Sequence, residues 1–235
     1  AVMRGIERVP GVEYTVLIPN LRGAERALAV GVDEFNLVMS VSETHNQSNL
    51  RMSRAESAKA LGEVIALAHQ SKVAVNISLS TSFGCPMSGM TPIHELMHWI
   101  DHFVDQGVRG ISICDTTGMA NPRQVTEICE QAQSKHPDTQ WTLHFHNTRG
   151  MGLANALAAV QAGIVRFDSS LGGLGGCPYA PGATGNICTE ELVHMLDLMG
   201  FHTNINLDLL LECAAELRTL VDRPLPSQVL LAGKV

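Results

Sequence analysis

The chain has 235 residues, 45% of them hydrophobic, with 16 Lys and Arg against 23 Asp and Glu, for a net charge of −7. That length is enough to bury a full core as one domain. The acidic balance argues against a general nucleic-acid or membrane-surface role. No apolar run has the length of a transmembrane helix. The six cysteines, at 85, 114, 129, 177, 188 and 213, show no CxxC spacing, so they read as reduced thiols and not as a disulfide framework. The opening residues AVMRGIER lack an initiator Met and any signal or transit character; they look like the tail of a helix already under way, so residues are expected upstream.

Taken in order, apolar runs alternate with helical stretches. Strands are predicted at Tyr14–Pro19, Glu34–Met39, Val73–Ser80, Gly110–Asp115, Gln140–His146 and Ile164–Ser169. Helices are predicted near Arg22–Val30, from Ser53 to Gln70, from Thr91 to Gln106, from Asn121 to Ser134, over Gly152–Ala162, near Thr189–Met199 and near Leu207–Val221. Ser53 with Glu56 three residues on forms a capping box. Thr91 is expected to cap the helix that Pro92 opens. Residues 40–52 and 81–90 are expected as loops, and the tail around Pro224 and Pro226 as irregular. Alternation of this kind specifies a parallel α/β protein. The chemically rich residues all follow strands, as at the C-terminal face of a (β/α)8 barrel. A doubly wound sheet is the alternative. Six units fall two short of a barrel, so the expectation is a single barrel domain over 1–235 whose first one or two βα units lie upstream.

Residues 169–186, SSLGGLGGCPYAPGATGN, hold six glycines and one thiol, Cys177. Glycine loses the most backbone freedom on ordering, so such a stretch is either a plain surface loop or a lid over chemistry. His144 and His146 lie two apart on a strand, and period two puts both imidazoles on one face. They are either ordinary histidines or a pair sharing a metal, with Asn186 adding an oxygen ligand; mixed N and O donors suit Mg2+ or Mn2+ better than structural zinc. Asp115 ends its strand, as a turn-capping aspartate or as a carboxylate that moves a proton. HELMH at 94–98 matches the HExxH pattern, but on a crossover helix it reads as part of a solvated stripe with His102. Arg51 and Arg54 either meet phosphates or are solubilising charges.

Together these residues resemble the hydroxymethylglutaryl-CoA lyases, within the metal-dependent TIM-barrel lyases that include isopropylmalate and homocitrate synthases. The resemblance is carried by residues 19–34, 42–57, GCPMSG (84–89), DTTGMANP (115–122), 143–163 and, most specifically, 168–196. It implies His144, His146 and Asn186 as metal ligands and Cys177 as the catalytic loop cysteine. It implies Asp115 as the active-site aspartate, with His144 assisting proton transfer. It implies Asn76, Ser78 and Ser112 as substrate-facing; Asn76 and Ser78 stand where the animal enzymes carry Arg and Tyr, and Asn147 where they carry Asp. The family's Arg-Asp pair and a further Glu would lie before Ala1. The implied reaction is cleavage of 3-hydroxy-3-methylglutaryl-CoA to acetyl-CoA and acetoacetate with a divalent cation, Mg2+ or Mn2+. The alternatives are a related 3-hydroxy-3-alkylglutaryl-CoA as substrate, a Claisen-type synthase, or a metal-binding barrel without turnover. The expected partner is an acyl-CoA, with no nucleic acid and no membrane, in a homodimer of the bacterial cytoplasm or, in a eukaryote, the mitochondrial matrix.

Overall fold

The computed structural model describes residues 1–176 and 185–234. A short helix α1 (Val2–Gly5) leads to β1 (Thr15–Ile18), α2 (Leu21–Leu28) and β2 (Glu34–Ser40). Then come α3 (Glu43–Leu50), α4 (Arg54–Gln70), β3 (Ala74–Ser80) and a small hairpin, β4 (Gly84–Cys85) with β5 (Gly89–Met90). They are followed by α5 (Ile93–Val104), β6 (Gly110–Asp115), α6 (Pro122–Lys135), β7 (Gln140–Phe145), α7 (Gly152–Gln161) and β8 (Arg166–Asp168). A 3-10 turn at Leu171–Gly173 precedes α8 (Thr189–Leu198), α9 (Leu207–Leu220) and α10 (Gln228–Ala232). No helix among the described residues is long and apolar enough to cross a membrane.

Six strands form one parallel sheet in the order β1-β2-β3-β6-β7-β8. Apart from the hairpin, spatial order follows sequence order. A doubly wound sheet reverses that order at its switch point; this one never does, which is the winding of a (β/α)8 barrel. The chain divides into two compact units, Ala1–Cys114 with Gln131–Thr142, and Asp115–Glu130 with Leu143–Val235.

In the first unit the strand period sorts the side chains. Leu37 pairs with Ile77 and Met39 with Leu79, and these apolar residues are buried. The alternate positions are mostly polar: Asn36 pairs with Asn76, and Ser40 with Ser80, with Val38 opposite Ser78. One face of the sheet is therefore apolar and the other carries amides and hydroxyls. Val64, Ile65 and Ala68 of α4 and Leu96, Ile100 and Phe103 of α5 are among the buried residues of their helices. The capping box is present: Ser53 accepts from the Glu56 N–H and Glu56 accepts from that of Ser53. Thr91 is not a cap. Its hydroxyl donates to the Thr81 carbonyl at 2.7 Å, tying down the hairpin, and α5 starts without a side-chain cap.

Three stretches expected as loops or as irregular hold structure. Residues 81–90 form the β4–β5 hairpin. Residues 40–52 contain α3, a polar helix without an apolar stripe. Ser42 accepts its His45 N–H, and buried Asn46 donates to the Met52 carbonyl and Ser57 hydroxyl. Caps and side-chain bonds, which hydropathy does not register, hold it. The tail forms α10, capped by Ser227.

At the N-terminal ends of the strands, Arg109 donates to buried Glu34 (3.0 Å from Nε) and to Glu13 (2.6 Å from Nη1). Residues at that end of such a sheet serve stability. Arg109→Met leaves the Glu34 carboxylate buried without its cation, with the Thr15 hydroxyl still donating to it. The expected loss is about 3 kcal/mol by urea unfolding, and the double variant with Glu34→Gln recovers part of it.

The second unit packs Leu143, Phe145, Ala156, Ala159, Ile164, Ile187, Leu192 and Val193 into its core.

Candidate active site

At the C-terminal end of β7, His144 and His146 project with ring centroids 5.1 Å apart, as period two requires. Nδ1 of His144 lies 3.7 Å from Asp168 Oδ2 at the end of β8. His146 is buried and forms a β-bridge with Asn186. The bridge is clamped on both sides: Ile187 N donates to Phe145 O at 3.0 Å and Asn147 N to Gly185 O at 3.0 Å. The Asn186 amide is oriented by its own stem, with Nδ2 donating to Leu174 O at 2.8 Å and the backbone N to Gly175 O at 3.2 Å. Among the described residues, Asn186 Oδ1 and His146 Nδ1 are then left buried with no hydrogen-bond partner. An unmet buried polar atom costs about 1–3 kcal/mol, so a pair of them at one bridge is informative. A nitrogen and an oxygen of this kind, with His144 beside them, fit a divalent cation. Burial, and then the neighbouring His144, lowers the His146 pKa to about 4, so the ring is neutral at pH 7, as a metal ligand must be.

Asp115, at the end of β6, is buried. Oδ1 accepts from Met119 N at 2.7 Å and Ala120 N at 3.1 Å. Oδ2 is buried and, among the described residues, bare. The residue therefore does cap its turn, yet keeps one oxygen for other work. Burial pushes its carboxyl up to about 6, against the two N–H bonds and the charges of His144 and Arg149, which pull it down. A buried carboxyl with a raised pKa and one free oxygen has the character of a general base. Arg149 is a residue the motif reading passed over. Its Nη1 donates to the carbonyls of Thr117 (2.8 Å) and Gly118 (3.1 Å), joining the loop after β7 to the turn after β6. Its signal was its place in the 143–163 stretch.

In the first unit, Asn76, Ser78 and Ser112 do come together, around a hub that sequence reasoning missed. Asn36 Oδ1 accepts from Asn76 Nδ2 (2.9 Å) and Ser78 Oγ (2.8 Å), and Asn76 Nδ2 also reaches Ser112 Oγ (2.9 Å). The set is neutral and bonded within itself.

Cys177 lies outside the described residues. The stem that leads to it is described, and it needs glycine. Gly185 has φ +107, and a Cβ there would collide with the carbonyl oxygens of Gly173 and Gly175. HELMH forms no metal set: Glu95 is held by Arg54 at 2.8 Å, His102 Nε2 meets Gln106 at 2.8 Å, and His94 is exposed. Arg54 is no open phosphate hook either, since it also binds Glu43 and the Val41 carbonyl. Among the described residues, Cys188, Glu190 and Glu191 place ligand atoms within 4.8 Å of one another. Glu190 accepts from Gly172 N through both oxygens, and Glu191 accepts from Gln228 N and Val229 N through Oε1, with its Oε2 unmet among the described residues.

A family model described as HMGL-like matches residues 1–217. The chain belongs to the HMGL-like family. A relative from Bacillus subtilis (strain 168), hydroxymethylglutaryl-CoA lyase YngG, is 44% identical over 233 residues, which is 99% of this chain and 78% of that protein. The (R)-citramalyl-CoA lyase of Chloroflexus aurantiacus is 40% identical over 94% of this chain and 70% of its own length. The human mitochondrial hydroxymethylglutaryl-CoA lyase is 36% identical over 97% and 70%. Among solved structures, an HMG-CoA lyase from A. baumannii in complex with coenzyme A and 3-methylmalate superposes with a TM-score of 0.94. It is 46% identical, over 99% of this chain and 76% of that one. The carboxyl transferase domain of Rhizobium etli pyruvate carboxylase, at 13% identity and a TM-score of 0.70 over 94% of this chain and 38% of that one, shares the fold. HMGL-like chains with this fold and these relatives are the setting in which the bare His146–Asn186 pair has to be read.

Proposed function

We propose that this chain is a carbon–carbon lyase that cleaves 3-hydroxy-3-methylglutaryl-CoA to acetyl-CoA and acetoacetate. The observation that carries the reading is the bridge at which His146 Nδ1 and Asn186 Oδ1 stand buried and bare. It lies in a chain 44% identical to a named lyase of that substrate.

His144, His146 and Asn186 would hold a divalent cation, Mg2+ or Mn2+, which when bound supplies the Lewis acidity that lowers the pKa of the substrate's tertiary hydroxyl. Asp115 takes the hydroxyl proton on its bare Oδ2. Its carboxyl, raised to about 6, is ionised at pH 7 yet basic enough to accept that proton. The C2–C3 bond then breaks. Its electron pair stays on C2 as the acetyl-CoA enolate, while C3 becomes the ketone carbon of acetoacetate. Cys177 delivers a proton to C2, and its thiolate regains one from solvent. His144, facing Asp168 at 3.7 Å, passes the proton taken from the hydroxyl on to solvent. Asn76, Ser78 and Ser112 face the acyl chain, and the protein works as a cytoplasmic homodimer.

The test is coupled detection of acetoacetate from hydroxymethylglutaryl-CoA by the full-length protein, with Mn2+ and then with chelator. Release that needs the cation and falls by at least about 100-fold in Cys177→Ala supports the reading. Release unaffected by chelator overturns it. A second substrate belongs in the same assay. The neutral Asn76–Ser78–Ser112 network and a relative named as an (R)-citramalyl-CoA lyase favour trying that ester, and a larger kcat/KM for it would move the acyl assignment while keeping the chemistry.

A further inference from the structure

Glu190 is a fully buried carboxylate that the mechanism above leaves unused. It opens α8, and both of its oxygens accept from one backbone group, Gly172 N, at 2.8 and 3.1 Å. Burial pushes its carboxyl up, and among the described residues its hydrogen bonds run to backbone and not to a Lys, Arg or His. A buried acid is costly to keep, so its retention asks for a reason.

The bonds that lead away from Gly172 supply one. Gly172 sits in the Leu171–Gly173 turn with φ +62, a conformation that glycine adopts without strain. Leu225 packs so close that a Cβ on Gly172 would lie 2.7 Å from its Cδ1. The turn is thus pressed from one side by Leu225 and tied to α8 by Glu190. Its next residue, Leu174, presents the carbonyl that accepts Asn186 Nδ2 at 2.8 Å. That bond decides which way the Asn186 amide faces, with nitrogen spent on Leu174 and Oδ1 left bare. Glu191, next along α8, accepts from Gln228 N and Val229 N and so seats the segment that carries Leu225.

We infer that Glu190 is a positioning residue for the cation site: through Gly172 and the Leu174 carbonyl it orients the Asn186 carboxamide. The inference rests on Asn186 being a ligand, as proposed above. It predicts that an outer partner governs affinity without touching the ion.

The experiment measures Mn2+ binding to the full-length protein by the spin-resonance signal of free Mn2+, with no substrate present. Wild type is compared with Glu190→Ala and Glu190→Gln, and amide exchange is followed at Gly172 and Leu174. Glu190→Ala should weaken Mn2+ binding by about 10–100-fold and lower kcat while KM for the acyl-CoA stays put. Gln, which keeps one acceptor oxygen, should fall between Ala and wild type. If Glu190→Ala fails to fold, the Gln variant and its exchange rates decide alone. A folded variant with lost protection at Gly172 but wild-type Mn2+ affinity overturns the inference. A wild type that binds no Mn2+ overturns instead the ligand assignment on which it rests.

Discussion

Asp115→Asn should yield a protein that is more stable than the wild type at pH 8 and nearly inactive. The carboxyl moves from the usual 3.8 up to about 6 on folding, chiefly through burial. A raised carboxylate pKa means that the folded state holds a proton which the unfolded chain has already released. That contribution is fully present below about pH 4 and is lost as pH rises through 6; above that, the wild type bears the whole cost of a buried charge. The move from 3.8 to about 6 corresponds to about 3 kcal/mol. The Asn variant keeps an acceptor for Met119 N and Ala120 N and escapes that cost. His144 and Arg149 are the side chains whose electrostatics act on Asp115, and both are unchanged in the variant. Urea unfolding should therefore show a gain near pH 8 that disappears near pH 4. Turnover should fall by about 10²–10⁴-fold, the usual contribution of a general base. Equal stabilities at both pH values would remove the basis for the raised pKa. Retained turnover would remove Asp115 from the chemistry.

His146→Ala should leave the metal-free protein as stable as the wild type and abolish its response to Mn2+. The imidazole is buried with Nδ1 unmet, so deleting it removes a desolvated group along with some packing. A cation at a hundredfold excess over its Kd adds about 2.7 kcal/mol to a protein that binds it only when folded. Thermal unfolding with and without Mn2+ measures that difference directly. The wild type should show it and the variant should not, because losing a ligand costs more than the roughly 100-fold typical of an outer partner. A variant that still gains stability from Mn2+ would place the cation elsewhere.

These expectations draw on two layers of information. The alternation of strand and helix, the capping box at Ser53 and Glu56, and the shared face of His144 and His146 were all legible, because each depends on residues within one turn or one strand. The need for glycine at 185 was not legible, because it comes from the carbonyl oxygens of Gly173 and Gly175, which the fold brings against it. Nor was helix α3. It carries no apolar stripe, and what stabilises it is a cap and the buried amide of Asn46. Thr91 was misplaced because its hydroxyl had a stronger claimant in the Thr81 carbonyl, ten residues back.

The chain by itself determined the α/β class, the positions of its chemically rich residues after strands, and membership in a family through motifs at 115–122, 143–163 and 168–196. Periodicity is a local property and survives without the fold. Only the tertiary structure decided which polar atoms are met and which are bare. It made Asn36 the hub for Asn76 and Ser78, some 40 residues away. It bound Arg54 to Glu95 and left it no open role. It set Glu190 against Gly172 across 18 residues, and it left His146 and Asn186 each with one atom unpaired. Hydrogen-bond satisfaction depends on what lies within about 3 Å in space, and no spacing along the chain records it.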